Sequence, residues 1–173
     1  MSLWGSEMKN FVKEGQKLPM FGIGPYLISG IGLVTLIGIL LSVFCFRFGI
    51  LEGVWTWIFR IAGILLILGG TAVWYIGALR SNMDESIMDN KLQTGGIYAW
   101  VRNPMYSGWW MLITGISFMW HNFMVLPFVF VNWIILTVVL INSEEKWLLN
   151  LYGQYYLDYK KRVNRLIPWI PKR

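Results

Sequence analysis

The sequence predicts an all-α polytopic membrane protein: four transmembrane helices, the last two folded as a hairpin, and a cytoplasmic amphipathic helix. Three observations carry that fold class. Residues of the AVILMFWYC set make up 56% of the 173 positions and charged residues only 14%. A soluble domain this small has too much surface per unit volume to hide so much apolar side chain. Several apolar runs reach the ~20 residues that cross ~30 Å of hydrocarbon. The basic residues gather between alternate runs, as membrane topology requires. Composition thus excludes a disordered chain and an ordinary soluble enzyme, and a lone Cys45 excludes a disulfide scaffold. We read residues 1–173 as one domain.

The first span is Pro25 to Phe46, inside an uncharged stretch that begins at Leu18. Pro25 suits a helix start, where its missing N–H costs nothing. The second span is Val54 to Leu79, interrupted only by Arg60, which is near enough to the end to snorkel outward. Gly63, Gly70 and Gly77 repeat every seven residues, so they share a face that lets a neighbouring helix approach closely. Asn103 to Ser143 is then a run of 41 residues without formal charge when His121 is neutral. As one helix it would be about 60 Å long, twice the bilayer core. His121-Asn122 near its middle reads as a tight turn, which divides it into Met105–Trp120 and Phe123–Asn142. Asn132 lies deep in the second arm and reads as an interhelical hydrogen bond.

Four spans put both termini on one side. That side collects 13 of the 15 Lys and Arg residues, leaving only Arg47 in the opposite loop and Arg60 within a span. The positive-inside rule places both ends and the 80–104 loop in the cytoplasm. The expected location is therefore a multi-pass position in a membrane, taken here as a prokaryotic plasma membrane. The net charge of +6 sets topology and faces anionic lipid rather than nucleic acid. Trp55, Trp57, Trp100, Trp109, Trp120 and Trp147 fall near span ends, as interfacial anchors should.

A hairpin returns to the face it left. Asn103-Pro104-Met105-Tyr106 and Ser143-Glu144-Glu145 should therefore be neighbours, walling a polar pocket at the cytoplasmic rim that opens sideways to lipid. Thr94-Gly95-Gly96 offers a tight turn whose N–H groups suit anionic oxygen. Arg102 suits a carboxylate, Glu144 or Glu145 an ammonium or ribose hydroxyls, and Tyr98, Trp100 and Tyr106 offer flat faces. Each has a plainer reading too: a topology charge, a solvated helix end, an interfacial anchor. Further on, Glu145, Leu149, Tyr152, Tyr156, Tyr159 and Val163 step by three and four, the stripe of an amphipathic helix. It reads equally as a helix lying on the membrane or a lid over the pocket. One His and one Cys leave no residues for a zinc site or a Cys–His nucleophile.

Two blocks in order carry a family resemblance. Thr94-Gly-Gly-Ile-Tyr-Ala-Trp-Val-Arg-Asn-Pro-Met-Tyr-Ser-Gly108 is similar to G-x-Y-x-x-x-R-H-P-x-Y-x-G. Glu144-Glu-Lys-Trp-Leu148, Tyr152-Gly-Gln-Tyr-Tyr-Leu-Asp-Tyr-Lys-Lys-Arg-Val163 and Leu166-Ile-Pro168 are similar to E-E-x-x-L, F-G-x-x-Y-x-x-Y-x-x-x-V and I-P. In these blocks the chain resembles the isoprenylcysteine carboxyl methyltransferase family, with its phospholipid methyltransferase relatives. The resemblance implies S-adenosyl-L-methionine as cofactor, held by a part spanning about 81–173. Carried over by position, cofactor contacts fall on Asn90, Lys91, Leu92, Gln93, Tyr98, Asn103, Pro104, Met105, Tyr106 and Glu144.

The family's usual His is Asn103 here, and Leu140 stands where eukaryotic prenylcysteine members have Arg. The methyl acceptor is lipophilic, either the carboxylate of an isoprenylcysteine-like molecule or a lipid head group. A carboxylate is already ionised at neutral pH. An amine must first lose a proton, and Glu145 or a tyrosine is the base in reach. Arg102 and Glu145 are the candidate catalytic residues. Membrane lipids are the expected surroundings, and no nucleic acid or metal is expected as partner. The rival readings are an NADPH-dependent membrane reductase of sterol-reductase-like architecture and a non-catalytic membrane scaffold.

Overall fold

A computed structural model of the chain describes residues 23–80 and 91–171. Its helices are α1 (Gly24–Phe44), α2 (Val54–Leu79), α3 (Pro104–Met119), α4 (Leu126–Asn142), α5 (Glu144–Tyr152) and α6 (Gln154–Arg162), joined by short 3-10 turns. No strand forms among the described residues, only two isolated bridges, Ile50 with Asn122 and Val101 with Asn164. Three helical stretches are long and apolar enough to cross a membrane: Gly24–Phe44, Val54–Leu79 and Phe123–Tyr152. At 16 residues α3 is shorter than these, so length alone supports three crossings rather than the four expected.

The predicted starts have local causes. Pro25, Pro104 and Pro127 each sit in the first turn of a helix, where no N–H partner is lost. The helix of the second span occupies the predicted residues. The first ends two residues early at Phe44, and a 3-10 turn over Arg47–Gly49 follows.

Helices α2 and α3 lie against each other, antiparallel, along a seam of glycines. A Cβ on Gly70 would stand 2.6 Å from the Gly108 carbonyl oxygen, and one on Gly115 would stand 2.6 Å from the Gly63 carbonyl oxygen. Gly77 meets Pro104 in the same way, at 2.8 Å. Backbones at this distance exclude any side chain, which is what the seven-residue spacing in α2 foretold. Gly108 and Gly115 are themselves seven apart and form the matching face.

Helix α1 packs on α3 and α4 through Leu27, Ile31, Tyr106, Ile113, Leu136 and Leu140, all buried. Within this core Asn132 donates to Thr35 Oγ1 at 2.7 Å, the interhelical bond expected of it. Arg60 stays near its end of α2, its guanidinium 5.9 Å from the Trp57 ring centroid.

The hairpin turn is at His121-Asn122. His121 takes φ 38°, unusual without glycine. The Asn122 amide donates to the carbonyls of Ser42 at 2.9 Å and Phe46 at 3.0 Å, while its oxygen accepts from Met124 N at 2.9 Å. One neutral side chain thereby satisfies backbone groups left over at the ends of two helices.

The tail differs from a single amphipathic helix. Gly153, at φ 54°, breaks it into α5 and α6. Tyr152, Tyr156, Tyr159 and Val163 are buried together as expected, with Leu151. Leu149 is exposed instead, and Leu148 and Leu92 pack against the cluster. Within α5 the buried face runs through Leu148, Leu151 and Tyr152, so a step of four from Glu145 lands one residue off that face, at Leu149.

Candidate functional site

The site lies where the hairpin closes. Tyr106 opens α3 and Glu144 opens α5, and the Tyr106 hydroxyl donates to Glu144 Oε1 at 2.5 Å. Gly24, at the start of α1, is beside them: a Cβ there would be 3.1 Å from the Tyr106 hydroxyl oxygen. Tyr106 is buried and Glu144 half-buried. The second Glu144 oxygen accepts no bond from the described residues.

Residues 164–169 run as a strap along the entrance of α3. Arg102 N donates to the Asn164 carbonyl at 2.8 Å, and Trp169 N to that of Trp100 at 3.1 Å. Ser107 Oγ donates to the Leu166 carbonyl at 2.5 Å. The Asn103 amide donates to the Arg165 carbonyl at 3.2 Å, and Asn103 N reaches the same oxygen at 3.3 Å. The side chain standing in place of the family's His therefore holds the strap. A carboxamide can do this at any pH, because its NH2 always donates.

Behind this strap is a buried charge cluster. Glu145, 3% exposed, receives Arg102 Nη2 at 3.2 Å and Lys160 Nζ at 3.0 Å. Arg165 grips the same carboxylate through both Nε and Nη2, the latter at 3.2 Å. Arg102 Nη1 donates to the Tyr156 hydroxyl at 3.1 Å, while its buried Nε has no hydrogen-bond partner. One carboxylate thus faces three cations. Burial pushes the Tyr156 hydroxyl up to about 12, only partly offset by the Arg102 charge. Burial raises Tyr159 as well, and its hydroxyl donates to the Tyr98 carbonyl at 2.6 Å. Both phenols stay protonated at neutral pH, so the cluster keeps its positive excess.

The structure brings Asn103, Pro104, Met105, Tyr106 and Glu144 to one end of the bundle. Tyr98 is buried in a 3-10 turn over Gly96–Ala99, with Gly96 at φ 59° opening it. Leu92 lies against the tyrosine cluster, joining the 91–93 segment to the same end. Gln93 is half-buried there and Lys91 exposed. Asn90 lies outside the described residues.

Arg102 and Glu145, the candidate catalytic pair, are bound to each other. Both terminal nitrogens of Arg102 already have partners inside the protein, and Glu145 is neutralised by its cations. Sequence reasoning missed Arg165, Lys160 and Tyr156 as members of this cluster. Arg165 looks like any topology charge in a basic tail, and no local signal separates it. Among the described residues no group of three or more His, Cys, Asp or Glu side chains is placed to hold a metal ion.

The model of the phospholipid methyltransferase family matches residues 58–155, more than half of the chain. The chain belongs to this family. Its relatives include protein-S-isoprenylcysteine O-methyltransferases. The one from Tribolium castaneum is 36% identical over 87 residues, 50% of this chain and 31% of the relative. The Homo sapiens protein is 32% identical over 130 residues, 66% of this chain and 43% of the relative. Both halves of the resemblance read from the motifs are thus borne out, although the chain spans less than half the length of these curated relatives.

A solved structure of a eukaryotic intramembrane Ras methyltransferase, isoprenylcysteine carboxyl methyltransferase, shares the fold. Its TM-score is 0.57 at 23% identity, over 85% of this chain and 53% of that one. With three apolar helices and this fold, the family member described here is an integral membrane protein. The relatives named are eukaryotic, whereas the sequence reading placed the chain in a prokaryotic membrane.

Proposed function

We propose that this protein is a membrane methyltransferase that uses S-adenosyl-L-methionine on a lipophilic acceptor at the cytoplasmic face. The observation that carries the reading is the Tyr106–Glu144 hydrogen bond, because it joins the two blocks that define the resemblance at one end of the bundle. The whole chain, 1–173, acts as one domain. Helix α3 is its fourth crossing: it runs beside α2 from Gly77 to Gly63, and Trp120 caps its far end. Both termini are then cytoplasmic, and α5 and α6 form the polar layer over the site.

The donor set suits the cofactor. The unused Glu144 oxygen accepts from an ammonium or ribose hydroxyls, and Tyr98 and Tyr106 bring aromatic surface. The contacts proposed are Asn90 to Gln93, Tyr98, Asn103 to Tyr106, and Glu144. The cofactor supplies an electrophilic methyl group on a sulfonium. The protein's own residues orient it and exclude water, and approach geometry provides most of the rate.

The charge cluster bears on the acceptor. Removing a proton from an amine needs a base, and Glu145 is tied to three cations that lower its basicity. A carboxylate needs no base, and the positive excess attracts it. We therefore favour an anionic acceptor, such as the isoprenylcysteine carboxylate in the relatives' name, over an amine head group. Family membership does not favour the reductase or scaffold readings.

Calorimetry with S-adenosylhomocysteine on purified protein tests this reading. Glu144→Ala should weaken binding about tenfold or more, the worth of a charge-assisted hydrogen bond. Tyr106→Phe should weaken it less, and NADPH should give no heat. Equal affinity in parent and Glu144→Ala would remove the site assignment.

A further inference from the structure

At the end of the bundle remote from Glu144, about 30 Å away by the length of α1, there is a cavity in which none of the proposed cofactor contacts takes part. It has a volume of about 630 Å³. Phe44, Ile50, Met119 and Trp120 give it apolar walls, and Arg47 and His121 stand among them. The floor is Ser42 and Asn122, whose polar atoms are spent internally. Ser42 Oγ donates to Ile39 O at 2.8 Å, and the Asn122 amide is committed to three backbone groups. The floor therefore offers a ligand nothing.

The two remaining polar side chains differ from it. Arg47 is exposed and forms no ion pair or side-chain hydrogen bond with any described residue, although Glu52 is in the same loop. The other cation of this end, Arg60, is turned to Trp57 and does not line the cavity. His121 has its Nδ1 3.3 Å from the Met119 carbonyl oxygen, and its Nε2 makes no hydrogen bond with a described residue. Its φ of 38°, a backbone conformation uncommon outside glycine, holds the residue at the turn.

We infer that this cavity binds the head group of one anionic phospholipid from the leaflet opposite the methyl-transfer site. An unpaired guanidinium supplies the charge partner for a phosphodiester. Phe44, Trp120 and Ile50 are exposed as well as lining, so they present apolar surface where acyl chains begin. A site of this size and make-up, apolar walls with few polar groups, is that of an amphiphile rather than of a free ion. Elsewhere at this end the charge is sparse, so Arg47 gives the lipid its position. The inference rests on the membrane crossing alone, and methyl transfer has no part in it.

Native mass spectrometry of protein released from nanodiscs of mixed phosphatidylglycerol and phosphatidylcholine tests it. The parent should retain a bound phosphatidylglycerol, and Arg47→Gln should lose it, with apparent affinity falling about tenfold for one charge-assisted contact. Lys161→Gln, a solvent-facing change at the other end, should retain it. Arg47→Gln has no internal partner to orphan, so it should melt with the parent in pure phosphatidylcholine and below it once phosphatidylglycerol is added. Equal retention of phosphatidylglycerol by parent and Arg47→Gln would overturn the inference. So would a melting-point rise with inorganic phosphate equal to that with the lipid, because acyl chains would then contribute nothing.

Discussion

The two ends of this helix bundle hold their loops by opposite means. At the end that carries Glu144 a buried carboxylate, Glu145, draws Arg102, Lys160 and Arg165 together from three segments. At the far end a neutral amide, Asn122, joins α1 to the hairpin turn through three backbone bonds. Buried charges are costly unless fully paired, so an ion cluster is weak evidence of stability and better evidence of specified geometry. The amide satisfies backbone groups without that cost. The end with the candidate site is therefore the one built for orientation, and the other for closure.

The largest effect should come from removing the carboxylate. Glu145→Ala leaves three cations facing one another, and loss of one partner of a buried pair costs about 3–5 kcal/mol. Thermal unfolding in detergent should show a fall of that size, together with loss of S-adenosylhomocysteine binding as the strap releases Asn103. A smaller fall is expected at the other end. Asn122→Ala orphans two carbonyls and one N–H, at about 1–3 kcal/mol in all if water reaches the turn. Cofactor binding should be unchanged, and a loss there would erase the contrast between the ends. The least effect belongs to Lys160→Ala. Its side chain is 39% exposed, so solvent screens the pair and the change should stay below about 1 kcal/mol in the same melting assay.

Much of the fold was legible because a bilayer makes length and apolarity decisive. The α2 boundaries, the turn at His121-Asn122 and the Asn132 hydrogen bond all follow from local pattern. The glycine repeat in α2 announced a close neighbour, and its matching repeat in α3 was available to the same argument. Tail geometry was less legible. The residue stripe continued through Gly153, whereas the backbone there turns to positive φ and starts a new helix. Within the candidate site, the meeting of Tyr106 and Glu144 follows from the hairpin, but the mutual engagement of Arg102 and Glu145 does not.

What the amino-acid order determined by itself was the set of apolar rods and the polar segments that must share a membrane face. Those are properties of consecutive residues in an anisotropic solvent. Which of many basic side chains meets the one buried carboxylate is different in kind. Lys160 and Arg165 are chemically like their neighbours Lys161 and Arg162, yet only the first two reach Glu145. Tertiary packing made that choice, because a charge buried at low dielectric is tolerated only where folding has already brought its partners within contact.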